Sequence, residues 1–257
     1  MTTAAPALFV THGAPTLPLE DIAARDFLSG AGDLLDGARA VLVVSAHWEA
    51  PVASVSAATR PRTIHDFHGF PEALYRLGYP AAGDAAVARS VADALRSAGL
   101  AVRVDPERGL DHGAWVPLLL MRPKADLPVL QLSTLAGQGP AAHLALGQAL
   151  RPLRDEGVAV LASGSITHNL RDIDWTPEAG ERDWARAFAD WLADRVAADD
   201  REALVDYRAR APHAVHAHPH DDHLMPFYVA LGAGGAGERL HASTSHGTLA
   251  MDAYRFA

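Results

Sequence analysis

Short runs rich in valine, leucine and alanine alternate along this chain with longer stretches of helical period. Residues 7–10, 40–45, 100–104, 129–133 and 158–163 read as strands, and several are apolar at successive positions, as strands buried on both faces are. Between them, Asp84 is placed to cap a helix whose Val87, Val91 and Leu95 share one face, and Gly99 is placed to end it. A second helix is predicted over 140–156, with Leu146, Leu150 and Leu153 on one stripe and Gly157 as its stop. Trp184, Phe188 and Trp191 mark a third, and a fourth should begin near Asp222 and run through Phe227 and Leu231. Such alternation predicts an α/β fold in a single domain, with a central, largely parallel or mixed β-sheet covered by helices on both faces.

No internal repeat or linker divides the sequence, so one domain is expected over residues 1–257. The glycine-rich stretch 232–237 reads as a helix-to-strand connection. Residues 60–84 are the longest stretch without clear periodicity. Long segments of this kind in compact domains are usually functional or disordered. This one carries aromatic residues and histidines (TIHDFHGFPEALYRLGYP), which points to an ordered lid or site wall.

Composition narrows the function classes. At 49% hydrophobic and 21% charged residues, the 257-residue chain can bury a full core. A net charge of -9 argues against a nucleic-acid or anionic-membrane partner, both of which need clustered Lys and Arg. The absence of cysteine excludes disulfides, thiolate nucleophiles and cysteine-ligated metal sites. The start, MTTAAPALFV, lacks the basic region of a signal peptide, and no apolar stretch approaches the roughly 20 residues of a membrane span. A cytoplasmic location is the expectation. Histidine is the anomaly, at 14 residues.

Four of the histidines sit just past apolar or small-residue runs, in tight polar turns: His12 in ALFVTHG, His47 in AVLVVSAHWE, His168 in VAVLASGSITHN and His223 in HPHDDHLMP. Open α/β sheets present ligands at the carboxyl edge of their strands, and neutral imidazole is the commonest protein ligand for a transition metal. A mononuclear metal site assembled from distant parts of the chain follows. Each residue also has a plainer reading. His12 alone is more often a packing residue, and His47, beside which Trp48 could wall a pocket, could instead simply bond a backbone carbonyl. His168 lies beside serines, but the stretch lacks the G-x-S-x-G elbow of a serine hydrolase. The run His213, His216, His218, His220 and His223 could be a surface metal-scavenging tract or an idle loop. Of these, His223 stands behind two acidic residues that could orient its ring. His112 (in DHGAW) and His65, Asp66 and His68 read either as turn residues or as polar groups aimed at a substrate. His143, His241 and His246 read as structural or surface residues.

Taken in order, PALFVTHGAPTLPLE, VVSAHWE, TIHDFHGFPEALYRLGYPAAGD, GLDHGAWVPLLLM, PVLQLS, ASGSITHNLR, HPHDDHLMPFYVALGA and SHGTLAMDAYRF resemble the class III extradiol ring-cleavage dioxygenases, specifically the DOPA 4,5-dioxygenase-like branch. The resemblance covers almost the whole chain and implies a single LigB-like catalytic domain. It implies a non-haem Fe(II), with Zn(II) as the alternative occupant in purified protein. By position, His12, His47 and His223 correspond to metal ligands. His168 corresponds to the acid/base histidine, or to a fourth ligand in zinc-bound forms. His112 corresponds to a catalytic, substrate-facing histidine; His65, from its own aromatic-rich turn IHDFHGF, is expected as a further substrate contact. The broader class uses two histidines and one carboxylate, so Asp221, Asp222 and Glu49 stay open as ligands.

The chemistry implied is ring opening of a catechol-type small molecule by O2 to a semialdehyde. That reaction needs a metal with open positions and a base of near-neutral pKa, for which imidazole is suited. Two rivals remain at this level. One is a zinc hydrolase built on the same histidines. The other is a non-catalytic metal-binding relative, against which the spare base His168 argues. The oligomeric state, the particular catechol and the native metal are left open.

Overall fold

The apolar runs pair into one sheet because successive side chains point to opposite faces and both faces are covered. The computed structural model describes residues 4–176 and 179–257; residues 1–3 and 177–178 of the domain expected over 1–257 lie outside them. The strands are β1 (Ala7–Thr11), β2 (Ala40–Ala50), β3 (Ala53–Ser56), β4 (Val102–Asp105), β5 (Val129–Leu135), β6 (Val158–Gly164), β7 (Gly237–His241), β8 (Thr244–Ser245), β9 (Leu249–Ala250) and β10 (Ala253–Phe256). Eight of them lie in the order β4-β3-β5-β2-β6-β1-β10-β7, and β8 and β9 form a separate pair. The inner strands β5, β2, β6 and β1 run parallel, while β3 and β10 join antiparallel on either side, so the sheet is mixed. The carboxyl ends of the four inner strands therefore share one edge.

The longer helices are α1 (Ala23–Gly30), α2 (Ala85–Ser97), α3 (His112–Met121), α4 (Pro140–Asp155), α5 (Asp183–Ala197) and α6 (Met225–Ala233). Two cores sandwich the sheet. Leu42 and Val44 of β2 pack with α2, α4, α5 and α6 on one side, and Val41 and Val43 pack with α1 and α3 on the other. The single-domain α/β architecture is as the periodicity predicts. Asp84 caps α2 by accepting from the backbone N–H groups of Ala86 and Val87 at 2.8 and 3.1 Å.

Three differences bear on the site. The strand expected over 40–45 continues to Ala50, with a break in register. Ser45 pairs with Ser133 and Glu49 with Thr134, so Ala46, His47 and Trp48 have no partners across β5. This bulge lifts His47 out of the ladder. The helix expected near Asp222 starts only at Met225, because the His223 carbonyl accepts from Ser165 N–H at 2.8 Å and is withheld from the helix. Helix α3 has no amphipathic stripe to betray it. HGAWVPLLLM is apolar all round because its first seven residues are buried on every side.

Candidate metal centre and cavity

Three of the candidate side chains, those of His12, His47 and His168, lie at the shared edge, while His112 and His223 stand at or just before the starts of helices. His12 follows β1 directly, and its N–H donates to the Gly164 carbonyl at 3.1 Å. His47 sits in the β2 bulge, where its N–H donates to Ser45 Oγ at 3.1 Å. His168 lies in the loop after β6, its N–H donating to the Ala217 carbonyl at 2.8 Å. His112 begins α3, whose buried cap Asp111 is held by Ser45, Arg108 and Gln131 at 2.7–2.8 Å. Two glycines let these pieces close up. A Cβ on Gly113 would collide with Ser45 Oγ and crowd the His47 ring, and one on Gly164 would collide with the His223 carbonyl. Gly164→Ala should therefore push His223 off the centre. We expect a loss of about 1–3 kcal/mol in stability together with a loss of bound metal, checked by thermal melts and metal analysis.

The Nε2 atoms of His12, His47 and His223 converge. His47 Nε2 is 3.0 Å from His12 Nε2 and 3.3 Å from His223 Nε2. Partners fix two of the tautomers. Ser163 Oγ donates its proton to the Gly113 carbonyl, so at 3.0 Å it accepts from His12 Nδ1–H. Asp222 Oδ2 accepts from His223 Nδ1–H at 3.0 Å. Two acceptor lone pairs thus face His47 Nε2, and a single N–H there answers only one of them. A cation answers all three. Nitrogens about 2.0–2.1 Å from one divalent ion and roughly at right angles stand about 3.0 Å apart, so the donor set fits a metal and these three residues could hold one.

Two further imidazoles flank this centre. The His168 ring stacks on His223, centroids 3.5 Å apart and 8° from parallel, and makes no side-chain hydrogen bond among the described residues. The His112 ring lies 3.9 Å from that of His47. Both its N–H and its Nδ1–H donate to Asp66 Oδ1, at 2.9 and 3.0 Å. Its Nε2 is left as an acceptor. Asp66 Oδ2 also stands 3.8 Å from His47 Nδ1, so one carboxylate serves two of the histidines. Asp66 carried only an ambiguous sequence signal, because the segment around it has no period to say which way each side chain points.

Other expected residues lie elsewhere. His65 is not at the cavity: its Nε2 bonds the Leu77 carbonyl at 2.9 Å and its ring packs behind Phe67 against Trp115. Trp48 is not a cavity wall, since it lies under the Arg108 guanidinium at 4.9 Å. Of the three carboxylates left open, Asp221 pairs with Arg208 and Glu49 is exposed; Asp222 lies within 4.8 Å of His168 and His223 donor atoms. The run 213–223 is not one tract. His216 pairs with Asp172 at the surface, while buried His218 donates to the Ile166 carbonyl at 2.7 Å and braces the His168 loop. His143 is structural, donating to Gly139 and accepting from Leu135 N–H.

A cavity of about 370 Å³ opens over the centre. Histidines 12, 47, 112, 168 and 223 form its floor, with Asp222 and Ser165 beside them. Its walls are apolar: Phe67 and Phe70 from the aperiodic segment, Leu170, Ile173 and Trp175 from the loop after β6, and Leu249 from β9. The segment expected to be a lid or wall is thus an ordered wall.

Burial disfavours the charged form of several of these imidazoles. It lowers His12 and His223 well below their ordinary value, helped by the neighbouring histidines, and lowers His47 and His218 to about 3. His168 is lowered by burial as well, against the pull of Asp222. Burial pushes the Asp66 carboxyl up, but the hydrogen bonds it accepts from His112 outweigh that and bring it to about 2. Below pH 6.5 an unfolded chain takes up protons at these histidines that the folded chain refuses. Stability therefore falls with falling pH, by up to about 1.4 kcal/mol per unit for each histidine involved. The metal-free protein should melt progressively lower from pH 6.5 toward pH 4. A flat melting profile over that range would contradict the buried, neutral cluster.

Comparison with known proteins bears on what the centre does. Residues 6–257 match the family model described as the catalytic LigB subunit of aromatic ring-opening dioxygenase. A protein of Beta vulgaris named 4,5-DOPA dioxygenase extradiol is 40% identical, over 96% of this chain and 95% of its own length. One of the same name from Escherichia coli K12 is 38% identical, over 89% of this chain and 84% of its own. The crystal structure of an uncharacterised protein of Escherichia coli K12 superposes with a TM-score of 0.81 at 30% identity, covering 98% of this chain and 99% of that one.

Proposed function

The chain belongs to the LigB family of aromatic ring-opening dioxygenases, and from that premise we propose that it is a non-haem Fe(II)-dependent extradiol dioxygenase acting on a catechol-type small molecule. Both atoms of O2 enter the product, a ring-opened semialdehyde. The observation that carries the reading is the convergence of three Nε2 lone pairs, two of them aimed by fixed tautomers, on the floor of an apolar cavity. In this reading His12, His47 and His223 hold the metal. Ferrous iron there would supply the route for electrons between an ionised catechol and O2, which react poorly alone because the reaction is spin-forbidden.

The remaining residues handle protons and position. A catechol must lose protons to bind in its reactive form, and His168 beside the centre is the acid/base that takes one and later returns it. Its neutral state near pH 7 follows from its burial. His112 offers its Nε2 lone pair to a ring hydroxyl, with Asp66 fixing the tautomer that makes this nitrogen an acceptor. The apolar walls exclude water and accept a flat ring.

Asp66→Asn keeps the size of the side chain and removes its charge, so His112 is no longer held in one tautomer. We expect kcat/KM to fall about 10–100-fold with the fold unchanged, measured by steady-state kinetics and circular dichroism. Retention of full kcat/KM would deny Asp66 this role.

The function itself is tested by anaerobic reconstitution with Fe(II), then a catechol panel followed by an oxygen electrode and a scan for the yellow semialdehyde. Uptake of one O2 per catechol with Fe(II), and none with Zn(II), is expected. Ester or amide hydrolysis by the Zn(II) form without oxygen uptake would replace the reading with a zinc hydrolase.

A further inference from the structure

Three of the histidines on the cavity floor are aimed by partners of their own. His12 is tied to Ser163, His223 to Asp222 and His112 to Asp66. His168 has no such tie among the described residues, and its ring meets the cluster by stacking on His223. Where its nitrogens stand is therefore set by its backbone, in the loop after β6.

That backbone is clasped by residues 216–218, none of which lines the cavity. His168 N–H donates to the Ala217 carbonyl at 2.8 Å, and Asn169 Nδ2 donates to the His216 carbonyl at 2.9 Å. The His218 side chain closes the clasp, its Nε2–H donating to the Ile166 carbonyl at 2.7 Å. A carbonyl only accepts, so the proton sits on Nε2 and Nδ1 is left as an acceptor. That Nδ1 is buried and has no partner among the described residues. The residue is fully buried, its ring packed edgewise against Phe188 of α5 and against Tyr207, with centroids 5.4 and 6.3 Å away. An unpaired acceptor inside an apolar core is unfavourable. Leucine would fill the same space without it. What the imidazole makes and leucine cannot is the bond to Ile166, two residues before His168.

We propose that His218 is a positioning residue for the acid/base: through the Ile166 carbonyl it holds the loop that aims His168 at the centre. A side chain that must act over a fraction of an ångström needs such support from behind, and a loop supplies less of it than a strand or helix does. Because His218 lines no part of the cavity, its loss should slow the chemical step and spare both metal and substrate binding. The effect on turnover rests on the dioxygenase reading. The hold on the loop does not.

Three variants separate the bond from the bulk. His218→Leu keeps the size of the side chain and removes the bond. His218→Asn keeps an amide that ends short of Ile166, while His218→Gln carries its amide nitrogen to where Nε2 stands. Metal-free protein is first followed by hydrogen–deuterium exchange. Amides 166–169 should exchange about fivefold to tenfold faster in the leucine and asparagine variants, the factor by which one lost hydrogen bond shifts an opening equilibrium. The glutamine variant should exchange at nearly the wild-type rate. After loading with Fe(II), metal content and KM should stay near those of the wild type in all three. The kcat should fall about 10–100-fold in the leucine and asparagine variants, and glutamine should restore most of it. Unchanged exchange, unchanged kcat, or loss of metal and a raised KM in step with kcat would overturn the proposal, as would a glutamine variant no better than the asparagine one. Should the leucine variant not fold, asparagine against glutamine decides by the same measurements. The expected exchange pattern in a protein whose wild type takes up no oxygen with any catechol would instead sink the dioxygenase reading alone.

Discussion

Replacing His12 with alanine should abolish metal binding and turnover together while leaving the fold intact. His12 is 2% exposed, sits directly after β1, and has its Nδ1–H committed to Ser163, so its Nε2 has no function except toward the centre. Removing it leaves His47 and His223 as two neighbouring donors, too few to hold a divalent ion against water. Activity should fall well beyond the roughly 10–100-fold that loss of an outer hydrogen-bond partner costs. Secondary structure should persist, because β1 is held on both sides, by β6 and β10. Metal analysis, circular dichroism and oxygen uptake on one preparation decide the matter. A folded His12→Ala protein carrying a full equivalent of metal would remove His12 from the centre.

His168→Ala should behave differently. Turnover should drop on the order of 10²–10⁴-fold, the usual loss when a positioned acid/base is removed, with metal content near that of the wild type. The three converging nitrogens keep their own orienting bonds to Ser163 and Asp222 in this variant, so the centre should stay loaded. What disappears is the ring stacked 3.5 Å from His223, which lines the cavity beside the three converging nitrogens. Two other outcomes are informative. Loss of metal in step with activity would make His168 a ligand first, as its proximity to Asp222 and His223 allows, and His112 with Asp66 would become the base. A lower melting temperature with normal single-turnover rate would reduce it to a residue holding its loop.

Much of this protein is legible in one dimension. The strand runs, the cap at Asp84 and the stripes of α2 and α4 are local signals, written by the periods of sheet and helix. Histidines placed after strand ends are legible too, since a parallel sheet brings those ends to one edge wherever the strands fall in the order. What sequence could not decide depends on neighbours distant in the chain. The bulge that frees His47 arises from a register break against β5. Helix α3 is apolar on every side because it is buried on every side, which erases the period that would announce it. The facing of side chains in the aperiodic segment was settled only by packing. It sent His65 to a backbone carbonyl, Asp66 to His112, and Phe67 and Phe70 into the cavity wall. The sequence by itself determined which residue types stand at the edge of the sheet. Tertiary structure decided which atom of each ring faces the centre, because a histidine's tautomer is set by the partner on its other nitrogen, and here Ser163, brought beside the end of β1, sets it for His12.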